Sequence, residues 1–440
     1  MKVNLSKYTI SKDVLTNELT SKTYHLDEVG IEFFEICQSY GELTKAAKYL
    51  SGRYDIDRKQ ALADLNEFLV SIDLTPAGNG SVMPFEHHAV LEPTSRCSGG
   101  CRHCYHSSHG VDWNIEFEKE MPSILQLNNV SSVSITGGEV FSRHYLPRLY
   151  DLLQDLRSIN INVTSISTSG LFFSDEILHN LSKLINKNTV IRISMDTVSS
   201  GELINTRPGY LRLQSHLAPL ELVFDSGYPV VVTTVVHNKN ANEVIKIGEF
   251  IRKFDSVQVW NIRSAIATRQ KKTRNSIESN FHETVMSEIL RQHASRRYKF
   301  EFRLFNVLSS QFLENPKLLP SYSITDHPCR DEQNLITVKS NGTITQCPIL
   351  PELDESYASS PDKWTPLLAN LSLKEMPCKQ CRLISVCGGG CRLYALANGL
   401  LDDCDLVSKH AIEWLERDPH GLLKNNWLDF YGLLCKRIQN

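Results

Sequence analysis

Three cysteines in one short run, Cys97-Ser98-Gly99-Gly100-Cys101-Arg102-His103-Cys104, constrain this chain more than any other feature. Thiolates at Cys-x3-Cys-x2-Cys spacing hold three corners of an iron-sulfur cube and leave the fourth iron open. An open iron binds a reactive molecule, so the spacing points to chemistry at the cluster as well as electron storage. The competing reading is a zinc knuckle. Zinc wants a fourth ligand close by, which His103 or His106 would have to supply, and it has no redox use for an open corner.

A second group of cysteines favours iron-sulfur over zinc. Cys329 is followed after twelve residues by Gly342 and after four more by Cys347; Cys378-x2-Cys381-x5-Cys387-x3-Cys391 comes next, and Cys404 after a further twelve. Together the two groups resemble the radical SAM (S-adenosylmethionine) superfamily carrying a SPASM extension. In that family the methionyl amino and carboxylate groups of SAM chelate the open iron, and reductive cleavage yields a 5'-deoxyadenosyl radical. The resemblance implies three 4Fe-4S clusters. Cys97, Cys101 and Cys104 bind the SAM cluster, Cys329, Cys347 and Cys391 a first auxiliary cluster, and Cys378, Cys381, Cys387 and Cys404 a second. The fourth ligand of the first auxiliary cluster stays open between a non-cysteine side chain, Cys37, Cys435 and a substrate thiol. Cys37 and Cys435 otherwise read as core or surface thiols, and without a signal peptide a disulfide framework is not expected.

Composition agrees with a cytoplasmic enzyme of two or three domains: 440 residues, 41% hydrophobic and 22% charged, give enough apolar side chains for real cores. A net charge of -3 offers no reason to expect nucleic acid or another polyanion as partner. The basic run Arg269-Gln270-Lys271-Lys272-Thr273-Arg274 reads as a solvated loop, and no stretch approaches the roughly 18 apolar residues of a membrane span.

Residues 1–82 form the first unit. Thr23 to Leu26 reads as a short strand, followed by helical patterns over Glu28 to Gln38, Leu43 to Tyr54 and Arg58 to Ile72, the last with Leu62, Leu65, Leu69 and Ile72 on one face. Thr75 to Pro84 is a linker rich in Gly, Pro, Ser and Asn. Around Tyr24-His25-Leu26-Asp27 and Ile31 to Cys37 this plan resembles the RiPP recognition element, a winged-helix-like module that binds the leader of a ribosomally made precursor peptide. The leader is then expected to add as a strand beside Lys22 to Leu26, tethering the core peptide near the active site. A DNA-binding winged helix competes, but Asp64 and Glu67 offset Arg58 and Lys59 on the third helix.

Residues 85–265 alternate strand and helix. Ala89 to Thr94, Val133 to Thr136, Asn162 to Thr168, Val190 to Asp196, Val230 to Val236 and Val257 to Ile262 are six β-rich apolar runs, which favours a parallel α/β sheet or incomplete barrel with its chemistry at the C-terminal strand ends. The radical SAM resemblance implies a partial (β/α)6 barrel. By the same resemblance Gly137-Gly138-Glu139 is the GGE motif that meets the SAM ammonium, and His103 fills the usually aromatic position beside adenine. Thr168, Ser169, Ser194 and Asp196 fall at strand ends, placed for ribose or carboxylate, or for turns and caps. Residues 266–328 read as a bridge, with helix near Ile277 to Arg296 and strand at Tyr298 to Phe305; 329–440 hold the auxiliary-cluster region and a C-terminal helix.

The whole resembles a SPASM peptide maturase of the sactipeptide type with a fused leader-binding domain. That implies hydrogen abstraction from the core peptide and an intramolecular crosslink, with a Cys thioether first in line. It also implies an external one-electron reductant such as flavodoxin or ferredoxin. Carbon-carbon crosslinking or backbone excision is the nearest alternative. Oxidation of Ser or Cys on a folded protein would leave residues 1–82 unexplained, and a non-catalytic iron-sulfur sensor would leave Gly137-Gly138-Glu139 unexplained.

Overall fold

A computed structural model of the chain describes residues 8–11, 14–17, 23–40, 43–71, 87–101, 103–104, 106, 110–127, 130–210, 216–237, 240–265, 279–295, 298–304, 308–311, 335–345 and 377–381. It divides into two compact units, Met1–His87 and His88–Asn440.

The first unit opens with an antiparallel meander, β1 (Tyr8–Ser11), β2 (Val14–Asn17) and β3 (Thr23–His25), and continues into α1 (Glu28–Tyr40), α2 (Leu43–Tyr54) and α3 (Arg58–Ser71). The helix starts have a local cause. Asp27 accepts from the Gly30 amide at 2.8 Å and Asp57 from the Lys59 amide at 2.9 Å, answering donors that have no partner within the first turn. Phe34, Leu43, Leu50, Leu65 and Leu69 interlock with Leu15 of β2 in one core, which Cys37 shares at 1% exposure. Burial in this core pushes the Cys37 thiol up to about 12. β1 and β2 went unread in the sequence because each is four residues long and mixes Ser, Thr or Asn with its apolar positions.

The second unit is built on a ten-stranded sheet, whose first six strands are β4 (His87–Leu91), β5 (Val130–Ile135), β6 (Asn162–Thr168), β7 (Val190–Ser194), β8 (Val230–Val236) and β9 (Val257–Ser264). They are the six runs expected from sequence. β6 through β9 pair in parallel, as does β5 with β6. α4 (Ile115–Leu127), α5 (Leu146–Ser158), α6 (Asp175–Leu184), α7 (Leu203–Thr206), α8 (Ala218–Phe224) and α9 (Ala241–Ile251) fill the connections. α5 shows why they dock: Leu149, Leu152, Leu153 and Leu156 recur at helical spacing and are all buried.

The sheet extends beyond the six strands at both edges. β10 (Glu301–Leu304) follows α10 (Ser279–Ala294) and lies parallel to β9, with β11 (Leu308–Ser309) beyond it. At the other edge β12 (Leu335–Val338) runs parallel to β4, with Leu335 beside His88 and Val338 beside Leu91, and carries β13 (Ile344–Thr345). β4 stops at Leu91, three residues before the expected end, because Pro93 has no amide for the ladder and Thr94 turns instead to bridge Asp112. Among the described residues no helix is long and apolar enough to cross a membrane.

Candidate active site at the C-terminal strand ends

The chain leaving β4 is steered before it reaches the cysteines. The Ser95 amide donates to the Val111 carbonyl at 2.7 Å, and Asp112 accepts from Thr94 Oγ1 at 2.5 Å and Arg96 Nε at 2.7 Å. Burial would raise the Asp112 carboxyl, but hydrogen bonds from Thr94, Arg96 and His144 outweigh it and hold the group below its usual range. Two turns then close on the loop. The Gly138 and Glu139 amides donate to the Thr94 and Arg96 carbonyls at 2.7 and 2.8 Å, and the Gly209 amide donates to Gly99 at 3.0 Å. A Cβ at Gly138 would stand 2.2 Å from the Arg96 oxygen, and one at Gly209 would stand 1.6 Å from the Ser98 oxygen. Only glycine permits either approach.

Within this clamp Cys97 is exposed while Cys101 and Cys104 are half-buried, and the Cys104 amide donates to the Cys101 carbonyl at 3.2 Å. Burial raises the Cys101 thiol to about 11; Arg207 lowers it, while Asp196, Cys97 and Cys104 raise it. Tyr210 Oη is 3.7 Å from Cys97 Sγ. Of the other cysteines, Cys378 lies in the short turn Pro377–Gln380 and half-buried Cys381 packs on the sheet's core. Cys329, Cys347, Cys387, Cys391, Cys404 and Cys435 lie outside the described residues.

The sequence-picked polar residues gather at the same strand ends. Glu139 is 1% exposed. Its Oε1 accepts from Thr168 Oγ1 at 2.7 Å and the Phe141 amide at 3.2 Å; its Oε2 accepts from the Ser169 amide at 2.8 Å and from the Ser169 hydroxyl. All these donors are neutral, and among the described residues no cationic side chain pairs with it. Ser194 is half-buried at the end of β7. Asp196, just beyond, is 1% exposed and paired: Arg207 Nε and Nη2 donate to Oδ2 at 2.9 and 2.8 Å, His103 Nε2 lies 3.4 Å from it, and the Val235 amide donates to Oδ1 at 2.9 Å. Burial pushes Asp196 up, yet Arg207, His103 and these hydrogen bonds hold it below its usual range. His103 also stacks on buried His237, ring centroids 5.8 Å apart. His106 Nδ1 is 3.9 Å from Glu92 Oε2, to which Lys339 Nζ is bonded at 2.7 Å. Both imidazoles suggested as zinc ligands thus face carboxylates.

Another buried carboxylate, Glu243 in the first turn of α9, accepts from Thr197 Oγ1 at 2.6 Å, the Ser199 amide at 3.1 Å and Lys246 Nζ at 2.6 Å. Against the upward push of burial, these partners hold it at about 2. Arg207, Tyr210, His237 and Lys339 were not singled out in the sequence; Arg207-Pro208-Gly209 reads as an ordinary turn until the fold sets it against the cysteine loop.

The donor set fits an iron-sulfur cluster with SAM. Three cysteines on one loop would hold three irons, and a buried carboxylate answered only by neutral donors suits an ammonium.

Comparison with known proteins agrees. Residues 91–251 match the Radical SAM superfamily, and residues 14–72 match Coenzyme PQQ synthesis protein D (PqqD). No curated protein sequence matches the chain. Among solved structures, Streptococcus suis SuiB bound to precursor peptide SuiA is 18% identical with a TM-score of 0.55, over 90% of this chain and 98% of that one; SuiB bound to S-adenosylmethionine gives the same values. anSMEcpe with bound AdoMet and Cp18Cys peptide is 17% identical with a TM-score of 0.57, over 77% of this chain and 98% of that one. At these identities the likeness establishes a common fold.

Proposed function

Because the chain carries a radical SAM domain behind a PqqD-type unit, we propose that it modifies a ribosomally made precursor peptide, with residues 1–82 holding the leader while residues 85–265 act on the core. One observation carries this reading: the loop bearing Cys97, Cys101 and Cys104 is hydrogen-bonded to the Gly138 and Glu139 amides, so it stands at the same strand ends as a buried carboxylate with no cationic partner among the described residues. Cys97, Cys101 and Cys104 would hold the cluster, Glu139 with Gly137 and Gly138 the ammonium of SAM, and His103 would lie beside adenine. Thr168, Ser169, Ser194 and Asp196 would meet ribose or carboxylate. When bound, cluster and SAM supply a 5'-deoxyadenosyl radical that takes hydrogen from a C-H bond of the peptide.

The rest is done by side chains. Thr168 and Ser169 aim the Glu139 oxygens, and the Arg207 guanidinium keeps Asp196 ionised and in place. The bond formed is a Cys thioether, read from the likeness of Leu91 to Arg96 and Ile135 to Glu139 to thioether-forming enzymes. Cys329, Cys347, Cys378, Cys381, Cys387, Cys391 and Cys404 of 329–440, beyond a bridge over 266–328, would hold two auxiliary clusters, which would supply an electron acceptor for the product radical or a means of orienting the substrate, and flavodoxin or ferredoxin in the cytoplasm would be the external one-electron reductant. SuiB and anSMEcpe, which share the fold, were each captured with a peptide, and this supports the substrate class.

The test is anaerobic reconstitution with iron and sulfide, then incubation with SAM, reductant and a Cys-containing precursor peptide sought among the reading frames neighbouring this gene. About twelve irons per chain, methionine and 5'-deoxyadenosine release, and a peptide lighter by two hydrogens per crosslink are expected. Stoichiometric zinc, or SAM left intact, would overturn the reading.

A further inference from the structure

Tyr210 closes the short turn Pro208–Tyr210, and its ring is set against the cysteine loop. Its amide donates to the Arg207 carbonyl at 3.0 Å, the Gly209 amide beside it donates to Gly99 at 3.0 Å, and its ring meets Phe172 edge-on with centroids 6.1 Å apart. The loop leaves room for the ring: a Cβ at Gly99 would stand 3.0 Å from Tyr210 Cε2. The side chain is thereby buried, at 3% exposure, with Oη 3.7 Å from Cys97 Sγ, a hydrogen-bonding distance for the larger sulfur atom. The same sulfur accepts from the Gly99 amide at 3.4 Å.

The direction of the bond follows from the chemistry of the two groups. A cluster-bound Cys97 is a thiolate with no hydrogen to give, so the phenol is the donor. A phenol keeps its proton at neutral pH, and burial pushes Tyr210 further up. Ser169 is the hydroxyl's other neighbour. Its own hydrogen goes to Glu139, so it too could only accept from Tyr210. Two acceptors are within reach of one hydrogen, and the charged sulfur is the stronger of them.

We propose that Tyr210 donates a hydrogen bond to Cys97 and thereby raises the reduction potential of the cluster that Cys97, Cys101 and Cys104 would hold. An electron entering a cluster adds negative charge to its sulfurs, and a hydroxyl dipole aimed at one of them stabilises the reduced form more than the oxidised one. Tyr210 acts through Cys97 rather than on SAM itself, and sets how readily an external carrier loads the cluster. The inference rests on the cluster assignment made under the proposed function.

Tyr210→Phe keeps the ring and removes only the hydroxyl. The reconstituted full-length chain and this variant are titrated with a graded series of redox buffers and followed by EPR, on the signal component that changes when SAM is added, because only a cluster with an open iron answers SAM. At a fixed potential the reduced fraction should fall about threefold to tenfold in Tyr210→Phe, a move of roughly 30–60 mV to more negative values, since tenfold is about 59 mV for one electron. 3-Fluorotyrosine at position 210, a more acidic donor, should move the potential the other way. SAM affinity by calorimetry should hold in both. An unmoved potential overturns the proposal, and so does a loss of SAM affinity in its place, which would give the hydrogen to Ser169 and the Glu139 site. Should Tyr210→Phe fail to fold or take up iron, the 3-fluorotyrosine chain decides by the sign of its shift. A wild-type chain with no SAM-responsive cluster would overturn the proposed function and this inference with it; a SAM-responsive cluster with an unmoved potential overturns the inference alone.

Discussion

Glu139 and Asp196 are both 1% exposed carboxylates at the C-terminal ends of one sheet, and they are satisfied in opposite ways. Asp196 is answered in full by the protein: a two-point guanidinium, an imidazole and a backbone amide converge on it. Glu139 receives hydroxyls and amides only. Hydrogen bonds position a charge without cancelling it, and an uncancelled charge away from water is costly. Asp196 is held chiefly by the protein's own cation, whereas Glu139 has no cationic partner among the described residues; under the proposed function that place falls to the ammonium of SAM.

The largest effect that bears on this contrast comes from removing what Glu139 is placed beside. Cys97→Ala with Cys101→Ala and Cys104→Ala should abolish SAM cleavage and remove about four irons from the reconstituted chain, by iron assay and chromatography. Residual cleavage would disconnect the two.

Next is Asp196. Arg207→Met leaves Asp196 buried without its main partner, and breaking a buried pair from one side costs about 3–5 kcal/mol. Denaturant unfolding should show that loss in the apo chain. A loss below about 1 kcal/mol would mean Asp196 does not depend on Arg207, and the contrast with Glu139 would collapse.

Glu139→Gln should do the opposite, sparing cluster content while weakening SAM binding tenfold to a hundredfold, since a charge-assisted bond contributes about 1.5–3 kcal/mol. Calorimetry with SAM decides it. Unchanged affinity would reduce Gly137-Gly138-Glu139 to a turn.

The smallest effect concerns Glu243, a carboxylate far less dependent on one partner. Its folded value is about 2 against an ordinary 4.5, so its stabilisation is complete above pH 4.5 and lost as the pH falls toward 2. Glu243→Gln should flatten stability across that window, seen as a weaker dependence of melting temperature on pH. An unaltered acid limb would place the acid sensitivity elsewhere.

The six central strands, the cysteine loop and the Gly137-Gly138-Glu139 turn were legible because each is a local pattern: an apolar run, a fixed spacing, a turn after a strand. Thr168, Ser169 and Asp196 were legible as strand-end residues, but their partners were not. Whether Ser169 faces a ligand or Glu139, and that Asp196 meets Arg207, depends on how separate strand ends converge. β12 was hidden for a related reason. Leu335 to Val338 is too short to be told from a loop in sequence, and its partner β4 lies more than two hundred residues earlier.

That pairing has a consequence during synthesis. β4 gains its outer neighbour only when residue 335 has been made, 244 residues after Leu91; at about 5–20 residues per second the wait is roughly 12–50 s. Throughout it, one side of the strand that leads into the cysteine loop presents unpaired amides and carbonyls, the kind of edge on which nascent chains associate. Chaperone occupancy, expression temperature and translation rate should therefore govern the yield of soluble protein more strongly than any single side chain in the site.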